Sequence, residues 1–394
     1  MDINGLKSRF TEIFGGSTKG LRVFSSPGRV NLIGEHTDYN GGYVFPIALT
    51  LSSTVVARPR HDREINLIAT DLNIMVNGNL DRLEKYRDLK WGNYQLGVAD
   101  ELQKAGYELI GCDMMFHDTV PLGAGLSSSA AIEVATAIAL VALSNAEKQA
   151  GKHIDMLELA KISQKAENNY VGVNCGIMDQ FASAMGKSNH AIFLDCRDLS
   201  YTYVPLNLKG YKIVISNTNK KRSLAQSKYN ERRSQCERGL KVFQKALPGI
   251  SCLGDITYKQ YKSYRHMIED DIIRKRVEHV ISENDRVLKS IQALNDGDIQ
   301  EFGRLMVQSH NSLRDLYEVT GVELDTLVEE ALKVKGTIGS RMTGAGFGGC
   351  TVSIVREDSV DRFIKQVGDN YCKQIGLKAS FYISEAGDGG REII

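Results

Sequence analysis

The sequence has little that would mark a secreted or metal-binding protein. Its seven cysteines are scattered, with no C-x-x-C pair and no histidine cluster at zinc-binding spacing. We therefore expect reduced thiols. Residues 1–7 also lack the basic and apolar regions of a secretory signal, so we expect a cytoplasmic protein.

The chain also has no excess of positive or negative charge. The chain has 49 basic and 48 acidic side chains, for a formal net charge of +1. No long-range field would attract nucleic acid or an anionic membrane. The basic runs at residues 220–222 and 232–233 are short, lack interleaved aromatic residues and indicate solvated faces. We expect small-molecule partners, with no nucleic acid and no membrane.

Long hydrophobic runs are absent too. The longest, residues 130–143, contains Glu133 and is shorter than the roughly 20 residues needed to cross a bilayer, so it predicts a core helix. At about 150 residues per domain, the 394 residues suggest two domains. We place them at residues 1–198 and 199–379, because the sequence turns polar near residue 200.

Helices and strands are predicted in clusters rather than in strict alternation. Residues 22–51 predict strand, loop, strand, turn and strand, and residues 155–170 predict a helix with Asp155 and Glu158 as a capping box. This pattern favours an α+β fold over a doubly wound parallel sheet. Further helices are predicted at residues 220–247, 277–294, 299–317 and 324–334, and further strands at 212–216, 351–355 and 380–384.

A glycine-rich turn at residues 121–127 runs into serines and then into the predicted core helix. Glycines let backbone N–H groups converge on an anion, and the N-terminus of a helix favours negative charge. No lysine follows, which excludes a Walker A loop. Taken alone, the turn is explained equally well by ordinary helix N-capping.

Two further blocks accompany this turn, at residues 27–42 and 342–350. Three such blocks in this order resemble the GHMP small-molecule kinases. The first block, with residues 174–180 and 227–233, resembles the galactokinase family closely, and the resemblance covers nearly the whole chain. It implies a two-domain fold: an N-terminal ribosomal-protein-S5-domain-2-like domain and a C-terminal ferredoxin-like α+β domain with added helices. A strand within about residues 380–394 is expected to rejoin the N-terminal domain.

The resemblance implies Mg²⁺-ATP-dependent phosphorylation of α-D-galactose at its anomeric 1-hydroxyl, giving galactose 1-phosphate and ADP. Galactose and ATP are then the substrates, Mg²⁺ is the cofactor, and we expect a monomer. An N-acetylgalactosamine kinase and a non-catalytic sensor of galactose and ATP are the alternatives. Mevalonate and homoserine kinases rank lower because they lack a block like residues 34–38.

The same resemblance assigns the site. Asp179 is the expected catalytic base and Arg29 stabilises the transferring phosphoryl group, with Asp179 orienting the sugar hydroxyl and accepting its proton late. Mg²⁺ is expected at Ser129 and Glu167. Galactose is expected at Glu35, His36, Thr37, Asp38, Gly176 and Tyr229. The nucleotide is expected at Thr70, Gly123, Ala124, Gly125, Leu126, Ser127, Ser128 and Ser129, with Trp91 and Tyr94 as possible adenine neighbours.

Each assignment has a plainer alternative. Ser129 could cap the helix, and Glu167 could be a surface residue. Asp179 could be a helix cap or the buried partner of an arginine. Glu35 and its neighbours could form an exposed hairpin tip, and residues 343–349 a tight turn.

Overall fold

The structure is a computed structural model that describes residues 2–148, 155–220 and 225–393. Its helices are α1 (Ile3–Phe14), α2 (Gly92–Lys104), α3 (Ser128–Lys148), α4 (Met156–Ala166), α5 (Met178–Met185), α6 (Ala225–Ala246), α7 (Tyr258–Tyr264), α8 (Asp271–Asn295), α9 (Ile299–Ser312), α10 (Val322–Lys333) and α11 (Val360–Ile375). Its strands are β1 (Arg22–Asn31), β2 (Tyr43–Val44), β3 (Pro46–Pro59), β4 (Glu64–Ala69), β5 (Ile74–Asn79), β6 (Cys112–Asp118), β7 (His190–Asp195), β8 (Tyr201–Pro205), β9 (Tyr211–Asn217), β10 (Thr337–Thr343), β11 (Cys350–Arg356), β12 (Ser380–Ser384) and β13 (Arg391–Glu392).

A six-stranded sheet forms the N-terminal half, in the order β13-β1-β3-β6-β4-β5. Its pairs are antiparallel except for the parallel pair β4–β6. Alternate residues of β1 face opposite layers, as the period of a strand requires. Val23 packs in the cluster that contains Phe10 of α1, whereas Phe24 packs in the cluster of α3. Helices on both faces explain why β1 is buried almost throughout.

Helix α3 is the core helix predicted from residues 130–143. The segment Ser128–Ala146 is long and apolar enough to cross a membrane by length and composition, but 83% of its most apolar window is buried inside the molecule. It packs against α2, α4, β1 and β3. Its apolar character therefore belongs to the core of this half.

The C-terminal half is built on an antiparallel four-stranded sheet in the order β10-β11-β9-β12. Ile213 and Ile215 of β9 pack in the cluster that contains Phe302 of α9, and Val214 between them packs with Phe363 of α11. The sheet is thus covered by helices on both faces. A small sheet, β2-β7-β8, joins the two halves, and one hydrophobic cluster runs from Ile47 of β3 to Phe302.

The observed elements confirm the predicted α+β class. The helix predicted at residues 155–170 is observed as α4 followed directly by a π-helical turn, Glu167–Val171. The Asp155 carboxylate caps α4 by accepting from Leu157 N at 2.9 Å. Residues 221–224, with which the predicted helix 220–247 begins, lie outside the described residues.

The segment after residue 380 contains two strands that pair in different sheets. Ser380–Ser384 form β12, which pairs with β9 in the C-terminal sheet. Only Arg391–Glu392 return to the N-terminal sheet, where β13 pairs with β1. The aromatic pair Phe363 and Phe381 explains this, because Phe381 packs in the core beneath α11 and keeps β12 there.

Candidate active site

A cavity of about 500 Å³ lies between the two halves and is lined by most of the residues predicted to bind the sugar and by the predicted catalytic pair. Those on its wall are Arg29, Glu35, His36, Asp38, Glu167, Gly176, Asp179 and Tyr229, together with Tyr94. Gly344 and Ala345 of the third block also line it. A cavity of similar volume beside Lys209 and Glu385 contains none of the predicted residues.

Arg29 and Asp179 form the centre of the site. Arg29 Nε donates to Asp179 Oδ1 at 2.8 Å, and Arg29 Nη2 donates to Oδ2 at 2.9 Å. Ser127 Oγ donates to the same Oδ2 at 2.5 Å, and Arg29 Nη1 donates to the Gly125 carbonyl at 2.8 Å. Such a bidentate pair fixes orientation as well as charge. The carboxylate is therefore oriented by two elements, β1 and the glycine-rich loop.

The glycine-rich loop is held against β1 by its backbone. Arg29 N donates to the Leu126 carbonyl at 3.0 Å, and a Cβ on Gly28 would lie 2.5 Å from that oxygen. Gly123, Gly125 and Ser127 have positive φ angles of 68°, 80° and 58°. These turns place Ser128 and Ser129 at the start of α3, whose free N–H groups and dipole favour an anion.

The third block lies against this loop. A Cβ built on Gly344 would stand 3.1 Å from the Gly125 carbonyl. The block also forms the turn between β10 and β11, so the tight-turn alternative describes the local structure of residues 343–349.

Glu167 is buried rather than on the surface, so that alternative is wrong. Burial, and next the charge of Asp179, raise its pKa to about 7, while hydrogen bonds from side chains including Ser129 act in the opposite direction. Gln180 Nε2 donates to Glu167 Oε2 at 2.6 Å and to Glu133 Oε2 at 2.9 Å. Burial, and next Glu167, also raise the pKa of Glu133. Carboxylates concentrated in this way favour a cation nearby.

Glu35, His36 and Thr37 are buried and Asp38 is partly buried, so the hairpin-tip alternative is wrong for the first three residues. Glu35 Oε1 accepts from Gly344 N at 2.7 Å and from Thr343 Oγ1 at 3.0 Å. Thr37 Oγ1 lies 2.8 Å from the Gly34 carbonyl and 2.7 Å from the Tyr43 carbonyl. The Thr37 side chain thus supports the loop and does not line the cavity.

Asp38 faces the loop that carries Gly176. A Cβ on Gly176 would lie 1.8 Å from Asp38 Oδ2, so this close approach requires glycine. Burial, followed by the charge of Asp179, raises the pKa of Asp38 to about 7. Tyr229 completes this side, with its ring centroid 5.7 Å from that of His36.

Of the nucleotide candidates, Tyr94 lines the cavity, residues 123–129 contact Arg29 and Asp179 beside it, and Thr70 and Trp91 lie elsewhere in the N-terminal half. Thr70 donates its hydroxyl to the Phe116 carbonyl at 3.0 Å, at the end of β4. Trp91 is a core residue whose ring lies 5.4 Å from that of Phe116. The sequence reasoning also missed Tyr39 and Cys175 on the cavity wall and Gln180 beneath it. All three lie inside recognised blocks, which is the signal that could have found them.

Comparison with known proteins places this geometry in a family. The sequence matches the galactokinase galactose-binding signature at residues 8–59, the GHMP kinase N-terminal domain at residues 93–187 and the GHMP kinase C-terminal domain at residues 290–374. It is 50% identical to a galactokinase of Clostridium acetobutylicum, over 99% of both chains. It is 46% identical to a galactokinase of Bacillus subtilis, over 98% of both.

Solved structures agree. The crystal structure of Lactococcus lactis galactokinase complexed with galactose superposes with a TM-score of 0.94 and 43% identity, covering 99% of this chain and 100% of that one. A Methanococcus jannaschii mevalonate kinase superposes with a TM-score of 0.65 and 20% identity, covering 94% and 100%, which shows a common fold only.

The fold and the three glycine-rich blocks define a GHMP small-molecule kinase, an ATP-dependent enzyme. Within that class, the chain belongs to the galactokinase family. The expectation of a sugar kinase is confirmed. The two alternatives, an N-acetylgalactosamine kinase and a non-catalytic sensor, are not favoured.

Proposed function

We propose that this chain transfers the terminal phosphoryl group of ATP to the anomeric 1-hydroxyl of α-D-galactose, giving galactose 1-phosphate and ADP. The observation that carries this proposal is the position of Asp179, which accepts both from Arg29 in β1 and from Ser127 in the glycine-rich loop. That carboxylate therefore lies between the proposed sugar pocket at Glu35, His36 and Asp38 and the proposed nucleotide loop at residues 123–129. The galactose signature spans Glu35, His36 and Asp38 on the same wall.

Asp179 orients the hydroxyl and accepts its proton. An aspartate is a weak base toward a sugar hydroxyl, so the proton leaves late, when the transferring phosphoryl is already metaphosphate-like. Arg29 lies beside that carboxylate and stabilises the charge that spreads over the phosphoryl oxygens.

Galactose is recognised by the buried polar groups Glu35, His36 and Asp38, with Gly176 and Tyr229 closing the pocket. A buried group left unpaired by an epimer costs on the order of 1–3 kcal/mol, which rejects that sugar. Thr37 contributes by holding the loop. Galactose remains the proposed substrate over N-acetylgalactosamine, and the presence of Arg29, Asp179 and Ser129 supports an enzyme over a sensor.

The nucleotide phosphates are proposed to lie against the backbone of Gly123, Ala124, Gly125, Leu126, Ser127, Ser128 and Ser129 at the N-terminus of α3. Thr70 stands at the end of β4, beside the end of β6, from which the chain enters this loop. We assign it a contact with the base or ribose.

Ser129 and Glu167 are proposed to hold Mg²⁺. They fit it because the Ser129 hydroxyl hydrogen-bonds to Glu167, and burial together with the charge of Asp179 raises the pKa of this carboxyl to about 7, an effect that a bound cation would offset. A hydroxyl and a carboxylate suit this hard cation, which keeps several waters. When bound, it would supply positive charge that neutralises the phosphates. Glu133 and Gln180 keep Glu167 in place.

A monomer is proposed as the active form. The seven cysteines are thiols and not disulfides, and this supports a reducing compartment, the cytoplasm.

The test is ADP release by the purified protein with Mg²⁺-ATP across galactose, glucose, talose, N-acetylgalactosamine and mevalonate. We expect galactose to give the highest kcat/KM. Faster turnover of N-acetylgalactosamine would replace galactose as the substrate. Galactose binding without turnover of any acceptor would instead support the sensor.

A further inference from the structure

The loop at residues 34–43 carries most of the proposed sugar-binding side chains, and helix α8 is bonded to both of its ends. Glu283 Oε1 accepts from Gly34 N at 3.0 Å at the start of the loop. Asn284 Oδ1 accepts from Tyr43 N at 2.9 Å at its end. The loop therefore belongs to the N-terminal half by sequence, but its backbone is bonded to a helix of the C-terminal half.

Each of these hydrogen bonds has a fixed direction. A backbone N–H only donates, so the oxygens of Glu283 and Asn284 accept. One turn earlier on α8, His279 Nε2 lies 3.1 Å from the Glu35 carbonyl, which only accepts, so this nitrogen carries the proton. Burial, as the largest effect, lowers the pKa of His279 to about 4, so the ring is neutral near pH 7 and its Nδ1 accepts from Ser312 Oγ at 2.8 Å.

Glu283 is a charged side chain without solvent exposure. Ser309 Oγ donates to its Oε1 at 2.5 Å, and Arg286 Nε donates to its Oε2 at 2.7 Å. Burial by itself would raise the pKa of this carboxyl, but the charges around it, with Arg286 first, lower the pKa to about 2, so Glu283 is ionised near pH 7. A buried carboxylate is costly unless its oxygens are hydrogen-bonded, and here one of them is directed at the Gly34 N–H.

Gly34 sets the direction in which the loop leaves the end of β1. Its φ angle is 98°, and a Cβ there would lie 2.6 Å from the Tyr43 carbonyl and 3.0 Å from Val287 Cγ2 of α8. Only glycine fits this position, but glycine is also the residue with the greatest backbone freedom, so a partner for its N–H restricts the peptide. The next residue is Glu35, whose Oε1 accepts from Gly344 N at 2.7 Å. Rotation of the Gly34 peptide would therefore move the Glu35 carboxylate.

We propose that Glu283 is a positioning residue for galactose recognition: its carboxylate fixes the Gly34 peptide and thereby holds Glu35 and His36 at the wall of the sugar pocket. The inference deepens the proposed function and rests on it. Glu283 lies behind the loop and is not part of the cavity wall, so it acts through the loop and not on the sugar. A loop that is fixed before the sugar arrives loses less conformational entropy on binding, and its polar groups stay in register with the sugar hydroxyls.

Two variants separate the acceptor at Gly34 from the buried charge. Glu283→Gln keeps an oxygen for Gly34 N and Ser309 Oγ but loses the charge. The double variant Glu283→Met with Arg286→Met removes the acceptor together with the whole ion pair, so that Arg286 is not left without its partner. By calorimetry, we expect galactose affinity to stay within about twofold of the wild type in Glu283→Gln and to fall about tenfold in the double variant.

Three controls accompany these measurements. ATP affinity should be unchanged in both variants, because residues 123–129 are bonded to Arg29 and Asp179 in the N-terminal half. In steady-state kinetics of the double variant, KM for galactose should rise about tenfold while kcat changes less than about threefold. Tyr261→Phe removes a buried hydroxyl that donates to Glu278 of the same helix at 2.9 Å, and it should retain both affinities.

A merely structural role would lower the unfolding temperature of the variants and leave galactose affinity unchanged. Wild-type galactose affinity in the folded double variant would therefore overturn the proposal. Equal weakening in Glu283→Gln and in the double variant would assign the effect to the charge and not to the acceptor at Gly34, which would also overturn it.

Hydrogen exchange of the wild-type protein gives a measurement that needs no variant. The Gly34 amide, assigned by NMR and followed without sugar, should exchange slowly because it is buried and donates to Glu283. Exchange of Gly34 as fast as that of an exposed loop amide would contradict a fixed peptide.

The two proposals fail separately. Galactose binding without turnover would overturn the proposed reaction, while the ranking of the variants by galactose affinity would still be measured. Unchanged galactose affinity in the double variant of an active galactose kinase would overturn only the role of Glu283.

Discussion

At the scale of single residues, Asp179 gives the sharpest test. In Asp179→Asn, we expect kcat to fall by about 10²–10⁴, because the group that accepts the hydroxyl proton is lost. Galactose affinity should change by less than about threefold, because the amide keeps the shape of the carboxylate. Steady-state kinetics and calorimetry measure the two effects. Asp81→Asn, on an exposed ion pair with Arg63, is the control. Near-normal turnover in Asp179→Asn would refute the assigned role.

The residues that could be predicted are those inside contiguous blocks. Glu35, His36 and Asp38 lie within four consecutive residues, so the sequence motif alone identifies them. Their partners could not be predicted, because they come from distant segments. Glu35 Oε1 lies 3.4 Å from Arg341 Nη2 only because β10 lies beside the loop that carries Glu35. Likewise, Tyr317 reaches Tyr39 only through the π-helical turn Leu313–Tyr317.

His279 provides a prediction about pH. It is buried between Ser312 and the Glu35 carbonyl, and burial, as the largest effect, lowers its pKa from 6.5 to about 4. Between these values the unfolded chain binds a proton that the folded chain does not, so stability falls as the pH is lowered. In His279→Gln, the slope of the free energy of unfolding against pH should decrease by about 1 kcal/mol per pH unit.

Urea denaturation at intervals from pH 6.5 to 5 measures that slope. Comparing slopes removes the constant cost of the lost hydrogen bonds. The exposed His266→Gln variant is the control and should keep the wild-type slope. Equal slopes in all three proteins would show that His279 does not contribute to acid sensitivity.

At the scale of elements, the cavity is assembled from loops that need glycine at two points. Gly28→Ala would press a Cβ against the Leu126 carbonyl and displace the glycine-rich loop. Gly176→Ala would press a Cβ against Asp38. We expect the first to weaken ATP binding about tenfold or more and the second to weaken galactose binding similarly, since small misplacements in a site are costly.

Each variant is the control for the other. Calorimetry with each ligand alone should show Gly28→Ala retaining galactose binding and Gly176→Ala retaining ATP binding. If both variants lost both ligands equally, the two loops would not be separable in function.

Elements with strong periodicity were predictable, and elements made by long-range pairing were not. Helix α10 and the C-terminal end of α8 were predicted close to their observed bounds, because each helix has an apolar face that recurs at helical spacing, whereas α8 begins at Asp271 and not at residue 277. The two-residue strand β2 exists only because β7 pairs with it through Tyr43 and Asp195. No local pattern carries that information.

At the scale of the whole molecule, the segment from residue 386 to 392 ties the two halves together. Gly389 N donates to the Gly186 carbonyl at 2.8 Å, and Gly390 N donates to the Ser183 carbonyl at 2.8 Å. Both acceptors belong to the end of α5, the helix that carries Asp179 in its first turn. The segment therefore supports α5 from the end opposite to Asp179.

Gly389→Ala tests this support. A Cβ there would lie 2.3 Å from the Ala184 carbonyl, so we expect the free energy of unfolding to fall by about 1–3 kcal/mol. Glu392→Gln breaks only the partly exposed ion pair with Arg22 and should cost less than about 1 kcal/mol. Urea denaturation ranks the two, and the reverse order would show that the ion pair dominates.

The pairing of β13 with β1 also has a consequence for biosynthesis. The outer edge of β1 acquires its partner only when residues 391 and 392 have been translated. Until then, the nascent chain presents unpaired backbone groups next to Phe24 and Ser25, where another polypeptide could add a strand. Ribosomes stalled before codon 391 should therefore carry a product that is more prone to aggregation than the finished chain.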